Sequence, residues 1–74
     1  MAERYPLTIE QVRQTIEEIA AMTAQAEGIA GLMTAGYGES DQRTIRAQEA
    51  HGALVRLLAE MGRVHAKSAS EPAH

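Results

Sequence analysis

Apolar residues recur at helical spacing through two long stretches of this chain, and strand-like alternation occurs nowhere. In the first stretch Ile9, Val12, Ile16 and Ile19 follow one another at helical intervals, and Met22, Ala26, Ile29 and Met33 carry the series on. The opposite side carries Arg13, Gln14, Glu17, Glu18 and Gln25. In the second stretch Ala47, Ala50, Leu54, Leu57, Met61 and Val64 form an unbroken stripe, which Leu58 widens. Arg46, Glu49, Arg56, Glu60 and Arg63 fall largely outside it.

The ends of both stretches carry local signals. Pro6 pushes its neighbour out of the helical region, so the first helix starts after it. Thr8 followed by Gln11 has the pattern of a capping box, and Leu7 with Val12 has that of a hydrophobic staple. Glu10 in the first turn suits the positive end of the helix dipole. Gly36 is the natural stop, because glycine tolerates the left-handed conformation of a helix C-terminus. Ser40 or Asp41 can cap the next helix, and Arg63 and Lys67 sit at its negative end. The pattern predicts helices over about residues 9–35 and 41–66, with a connection short enough to make them antiparallel neighbours. The fold class is therefore all-α, an antiparallel two-helix hairpin. An N-terminal arm spans 1–7, the hairpin domain 8–67, and 68–74 form a disordered tail.

One part of the first helix is unusual. Ala20, Ala21, Thr23, Ala24, Ala26, Gly28, Ala30 and Gly31 are all small, and each helical glycine costs about 1 kcal/mol relative to alanine. Close approach of the two helices, or a kink at Gly28, would account for them; a groove or hinge that receives a ligand is the sharper reading.

The stripes are wider than one hairpin can bury, since Met22, Ile29 and Leu58 sit beside the narrow seam. Pairing two hairpins about a two-fold axis gives a homodimeric four-helix bundle and covers them. The expected core and dimer residues are Val12, Ile16, Ile19, Met22, Ile29, Met33, Leu54, Leu57, Leu58 and Met61. A monomer folded in three helices by a break at Gly28, or a hairpin completed by a different protein, would meet the same need.

Composition narrows function mainly by exclusion. The chain has 74 residues and no cysteine, so disulfides and cysteine metal clusters are out. Phe and Trp are absent and only Tyr5 and Tyr37 are aromatic, which leaves no stacking platform for single-stranded nucleic acid. A formal net charge of −3 lacks the basic excess of a nucleic-acid-binding domain. The N-terminus has no apolar signal region, and no apolar run reaches the roughly 20 residues of a membrane span. A cytoplasmic protein is the simplest expectation, and the Ala, Gly and Arg content suits a high-GC bacterial coding bias.

Candidate chemistry is sparse. His51 and His65 lie on one edge of the second helix, about 21 Å apart along its axis, so one metal cannot take both. A two-fold could bring His51 to its own copy or to Glu27, but boundary packing is the plainer reading; His74 belongs to the tail. Glu17 and Glu18 are adjacent in a helix and point apart, unlike a catalytic dyad. No phosphate-binding loop or nucleophile elbow is present. No cofactor and no metal are expected, nor is catalysis, because a hairpin of small core residues offers little concavity.

What remains is a small non-catalytic helical interaction protein that binds and modulates another protein, of the sort found in bacteria, plasmids and phages. Its candidate partner-binding residues are Tyr37 at the loop tip, where tyrosine often anchors a partner, and Arg43, Arg46, Arg56 and Arg63 on the second helix. The same arginines support an alternative, a nucleic-acid-binding regulator that uses that face. Partners are expected to be a second copy first, another protein next, nucleic acid less readily, and no membrane.

Overall fold

The computed structural model describes residues 7–70. Two helices, α1 (Ile9–Tyr37) and α2 (Gln42–Ser70), pack against each other as an antiparallel hairpin. At 29 residues each, both helices are about 43 Å long. The radius of gyration is 16.4 Å, against about 11 Å for a compact chain of this length.

α1 begins where its cap dictates. The Gln11 N–H donates to Thr8 Oγ1 at 3.1 Å, and the Thr8 N–H donates to Gln11 Oε1 at 2.9 Å, which completes the capping box. Replacing Thr8 with Ala removes the acceptor and should cost about 1 kcal/mol, seen as a lower midpoint in thermal unfolding followed by circular dichroism. Of the two staple residues, Val12 is buried in the hairpin and Leu7 is 53% exposed.

α1 ends later than the glycine pattern suggests. Gly36 stays helical, and Gly38 takes the positive φ of +92° while its N–H donates to Thr34 O at 2.9 Å. Asp41 rather than Ser40 caps α2, accepting the Arg43 N–H on Oδ1 at 2.8 Å. α2 then runs through Ser70, past the expected end near residue 66. Residues 1–6 of the expected arm and 71–74 of the expected tail lie outside the described residues, and residues 68–70, expected in the disordered tail, continue α2.

The seam between the helices is narrow. On α1 its buried and half-buried positions are Val12, Ile16, Ile19, Thr23, Ala26, Ala30 and Met33; on α2 they are Thr44, Ala47, His51, Leu54, Leu58, Met61 and His65. Both sets repeat with the alternating three- and four-residue steps of a two-stranded contact. Thr23 joins the seam as an apolar residue, because its hydroxyl donates to Ile19 O at 2.7 Å within its own helix. Near the tip Thr44, fully buried, donates to Met33 O at 3.0 Å and ties α2 to α1. Gln48 Nε2 donates to Thr34 Oγ1 at 3.4 Å one turn further on.

This seam differs from the one read in the sequence. Met22, Ile29 and Leu57, expected in the core, are about half exposed. On α2 the stripe of Ala50, Leu57 and Val64 lies beside the contact, and the inward positions are the next residues, His51, Leu58 and His65. α1 runs as one helix through Gly28, with no break there. Nor do the helical glycines explain themselves by close packing within the hairpin: a Cβ added at Gly28 or Gly31 would meet nothing within 4 Å.

Candidate functional site

The largest feature left unexplained by the hairpin is an apolar face. Met22, Ile29 and Leu32 each precede a seam residue of α1 by one position, and Ala50, Leu57 and Val64 do the same on α2. One residue is about 100° of helical rotation. In antiparallel helices that face each other, the same turn about each axis leads to the same side of the pair. The geometry is checked on the opposite side, where Thr34 and Gln48 each follow a seam residue by one and hydrogen-bond to each other. Met22, Ile29, Leu57 and Val64 therefore share one face, with Leu32, 70% exposed, at its outer edge. Val55, which follows Leu54, is on the other.

Buried apolar residues, by contrast, number three among the described residues: Val12, Ile19 and Ala30. A chain this small, without disulfides, needs more covered apolar surface than that to hold a fold. Towards the open end the same face becomes polar, and Leu7 lines a shallow groove with Gln11, Gln14, Thr15 and Glu18.

The tip of the hairpin is closed by its own residues. The Arg43 guanidinium sits 3.6 Å from the centre of the Tyr37 ring and donates to both Asp41 carboxylate oxygens at 3.0 Å. The two candidate partner residues Tyr37 and Arg43 thus hold each other, and Tyr37 still exposes half its surface. Hydrogen bonds from the Arg43 side chain and then its backbone N–H pull Asp41 from 3.8 to about 2. A carboxylate whose folded value is depressed stabilises the fold above its unfolded value, and that contribution fades as pH falls through the folded one. The tip should therefore loosen between about pH 4 and pH 2, and Asp41→Asn should abolish that part of the acid transition; amide hydrogen exchange at residues 42–45 reads both.

The arginines do not converge on one face. Arg43 and Arg46 precede seam residues and flank the apolar face at the tip, while Arg56 and Arg63 occupy the outer side of α2. Arg46 donates to Glu49 at 3.2 Å, and Arg63 pairs with Glu60. Glu60 pairs with Arg63 and not with Arg56 one turn before it, and the Arg56 guanidinium lies back over Gly52. On α1, Arg13 hydrogen-bonds to Glu10 and holds its carboxyl below the usual range. Most of the basic charge is thus matched locally, at exposed positions where such pairs contribute little.

His51 and His65, expected at the edge of the stripe, stand in the seam and are half-buried. Glu17 and Glu18 are exposed. Among the described residues no three carboxylate or imidazole groups converge where a metal could be held, and no helix is long and apolar enough to cross a membrane. The signal for the seam histidines was in the sequence: both fall in step with Ala47, Leu54, Leu58 and Met61. Compared with known proteins, the chain matches no family model, no curated protein and no solved structure.

Proposed function

We propose that this chain is a non-catalytic helical interaction protein that pairs with a second copy into a four-helix bundle and, so assembled, binds and modulates another protein. One observation carries the reading: the described hairpin buries only three apolar residues and leaves a face containing Met22, Ile29, Leu57 and Val64 in water. Exposed apolar faces of this kind mark sites of association. A second hairpin supplies the missing layer and turns two narrow seams into one bundle core. The outer surface then presents the half-exposed Tyr37 at each tip and Arg56 and Arg63 along α2 to a further partner.

The nucleic-acid alternative has less to stand on. Arg43, Arg46 and Arg63 are each paired with a nearby carboxylate, and the four arginines split between two sides. Phosphate binding draws on uncompensated positive charge and weakens steeply with salt.

Light scattering behind size exclusion, over a range of concentrations, tests the pairing. The expected mass is twice the 8.0 kDa of one chain. A mass of one chain at all concentrations would remove the self-pairing. Failure to bind heparin at low salt is expected, and retention there with steep salt dependence would return the arginine reading. Binding to another protein is tested with the assembled hairpin as bait, where Tyr37→Ala should weaken capture of that protein without changing the mass of the bait.

A further inference from the structure

The exposed face also specifies how a second copy would lie on it, an inference that rests on the self-pairing proposed above and adds its side and its direction. The side follows from asymmetry. Met22, Ile29, Leu57 and Val64 stand on one side, while on the other α2 exposes Val55 and half-buries Ile45. Two helices about 43 Å long and about 10 Å across present roughly 800 Å² on that side, which is the area each partner of a stable complex covers.

The direction follows from charge. The Thr44–Met33 and Gln48–Thr34 hydrogen bonds fix the register of the hairpin, so that Arg46 lies about level with Leu32, Leu57 with Met22, and Glu60 with Ile19. Arg46, Glu18 and Glu60 each precede a seam residue by one and so lie on or at the rim of the apolar face. The face is therefore positive towards the tip, apolar in its middle and negative towards the open end. Two copies with their tips together about a two-fold would lay α1 on the partner's α2, which sets Glu18 against the partner's Glu60 and leaves Arg46 beside the partner's Leu32 with no carboxylate across the contact. Two copies with tips apart set each Arg46 near the partner's Glu60, and Met22 against the partner's Ile29. The exposed pairs that Arg46 and Glu60 make with Glu49 and Arg63 can be shared across that contact.

We propose that a second copy covers this face with its tip at the opposite end, about a two-fold axis that passes between the levels of Met22 and Ile29. The contact is isologous, so every residue in it appears twice. Leu57 against the partner's Ala50 and Met22 against the partner's Ile29 form its centre, and the Arg46–Glu60 contacts close its two ends.

A tip-to-tip distance decides the direction. The sequence has no cysteine, so Ser40→Cys gives one spin label per chain at an exposed tip position and changes nothing on the face. With tips apart, each label lies about 18 Å from the axis and the pair about 36 Å apart. A distance under about 20 Å overturns the direction. The side is tested by mass: Leu57→Glu should raise the dimer dissociation constant at least 100-fold, and Val55→Glu should leave it within about threefold. The reverse result overturns the side while the dimer itself stands. A wild-type chain that stays at the mass of one copy, with no dipolar coupling between labels, overturns the underlying self-pairing instead.

Discussion

Ile19→Ala is expected to unfold most of the hairpin at physiological temperature. Ile19 is 4% exposed and sits near the middle of α1, so the substitution removes buried methyl and methylene groups at a place where both helices are already in contact. Truncations of this kind cost about 2–5 kcal/mol, from lost transfer energy and from the cavity left behind. Native domains hold only about 5–15 kcal/mol in all, and a hairpin with three buried apolar residues among those described lies at the low end. For a domain of this size each kcal/mol moves the midpoint by about 4–8 °C, so a drop of at least about 10 °C should follow. Thermal unfolding by circular dichroism at several chain concentrations measures it. Ile29→Ala is the contrasting case: half exposed on the single hairpin, it should cost under about 1 kcal/mol in dilute solution, and its effect should grow with concentration as the face becomes covered. A drop for Ile29→Ala as large as that for Ile19→Ala in dilute solution would mean that the single hairpin is not the packing unit.

The contrast between these two isoleucines also marks how far the sequence could be read. Both fall on the apolar series of α1, and periodicity alone gave them the same standing. The helix positions, the capping box at Thr8 and the antiparallel pairing all come from local rules that act within a few residues, and those were legible. Which of two adjacent stripes faces inward is a different kind of question. Each helix carries two candidates about 100° apart: on α2, Ala50, Leu57 and Val64, or one residue on, His51, Leu58 and His65. The residues shared by both readings, Ala47, Leu54 and Met61, do not separate them. Hydrophobicity favours the first set, since it lacks histidine. The hairpin chooses the second, because the small Ala26, Ala30 and Ala47 and the internally bonded Thr23 let the backbones approach, and Thr44 reaches the Met33 carbonyl. Those requirements cross from one helix to the other, and no local pattern records them. The site was legible in the same partial way: Tyr37 and Arg43 stood out singly, but the turn that lays one over the other could not be seen from composition or spacing.

Gly28→Ala combined with Gly31→Ala is expected to stabilise the protein by about 2 kcal/mol and to leave its association unchanged. Each glycine lies in the interior of α1, where alanine is favoured by about 1 kcal/mol because the unfolded chain has less freedom to lose. Neither has a positive φ that would demand glycine, and an added methyl would touch nothing within 4 Å. Gly28 lies almost opposite the seam, and Gly31 is turned towards the side away from the apolar face, so the proposed two-fold contact does not need either to be small. The midpoint of thermal unfolding should rise by about 8–16 °C for the double variant. Its mass in solution should match that of the wild type. A stabilised chain with weakened association would place a second helix directly against the outer side of α1 and move the interface away from Met22 and Leu57. The two glycines therefore report on the assembly from the side opposite to Leu57→Glu, by a change that strengthens the helix instead of disrupting it.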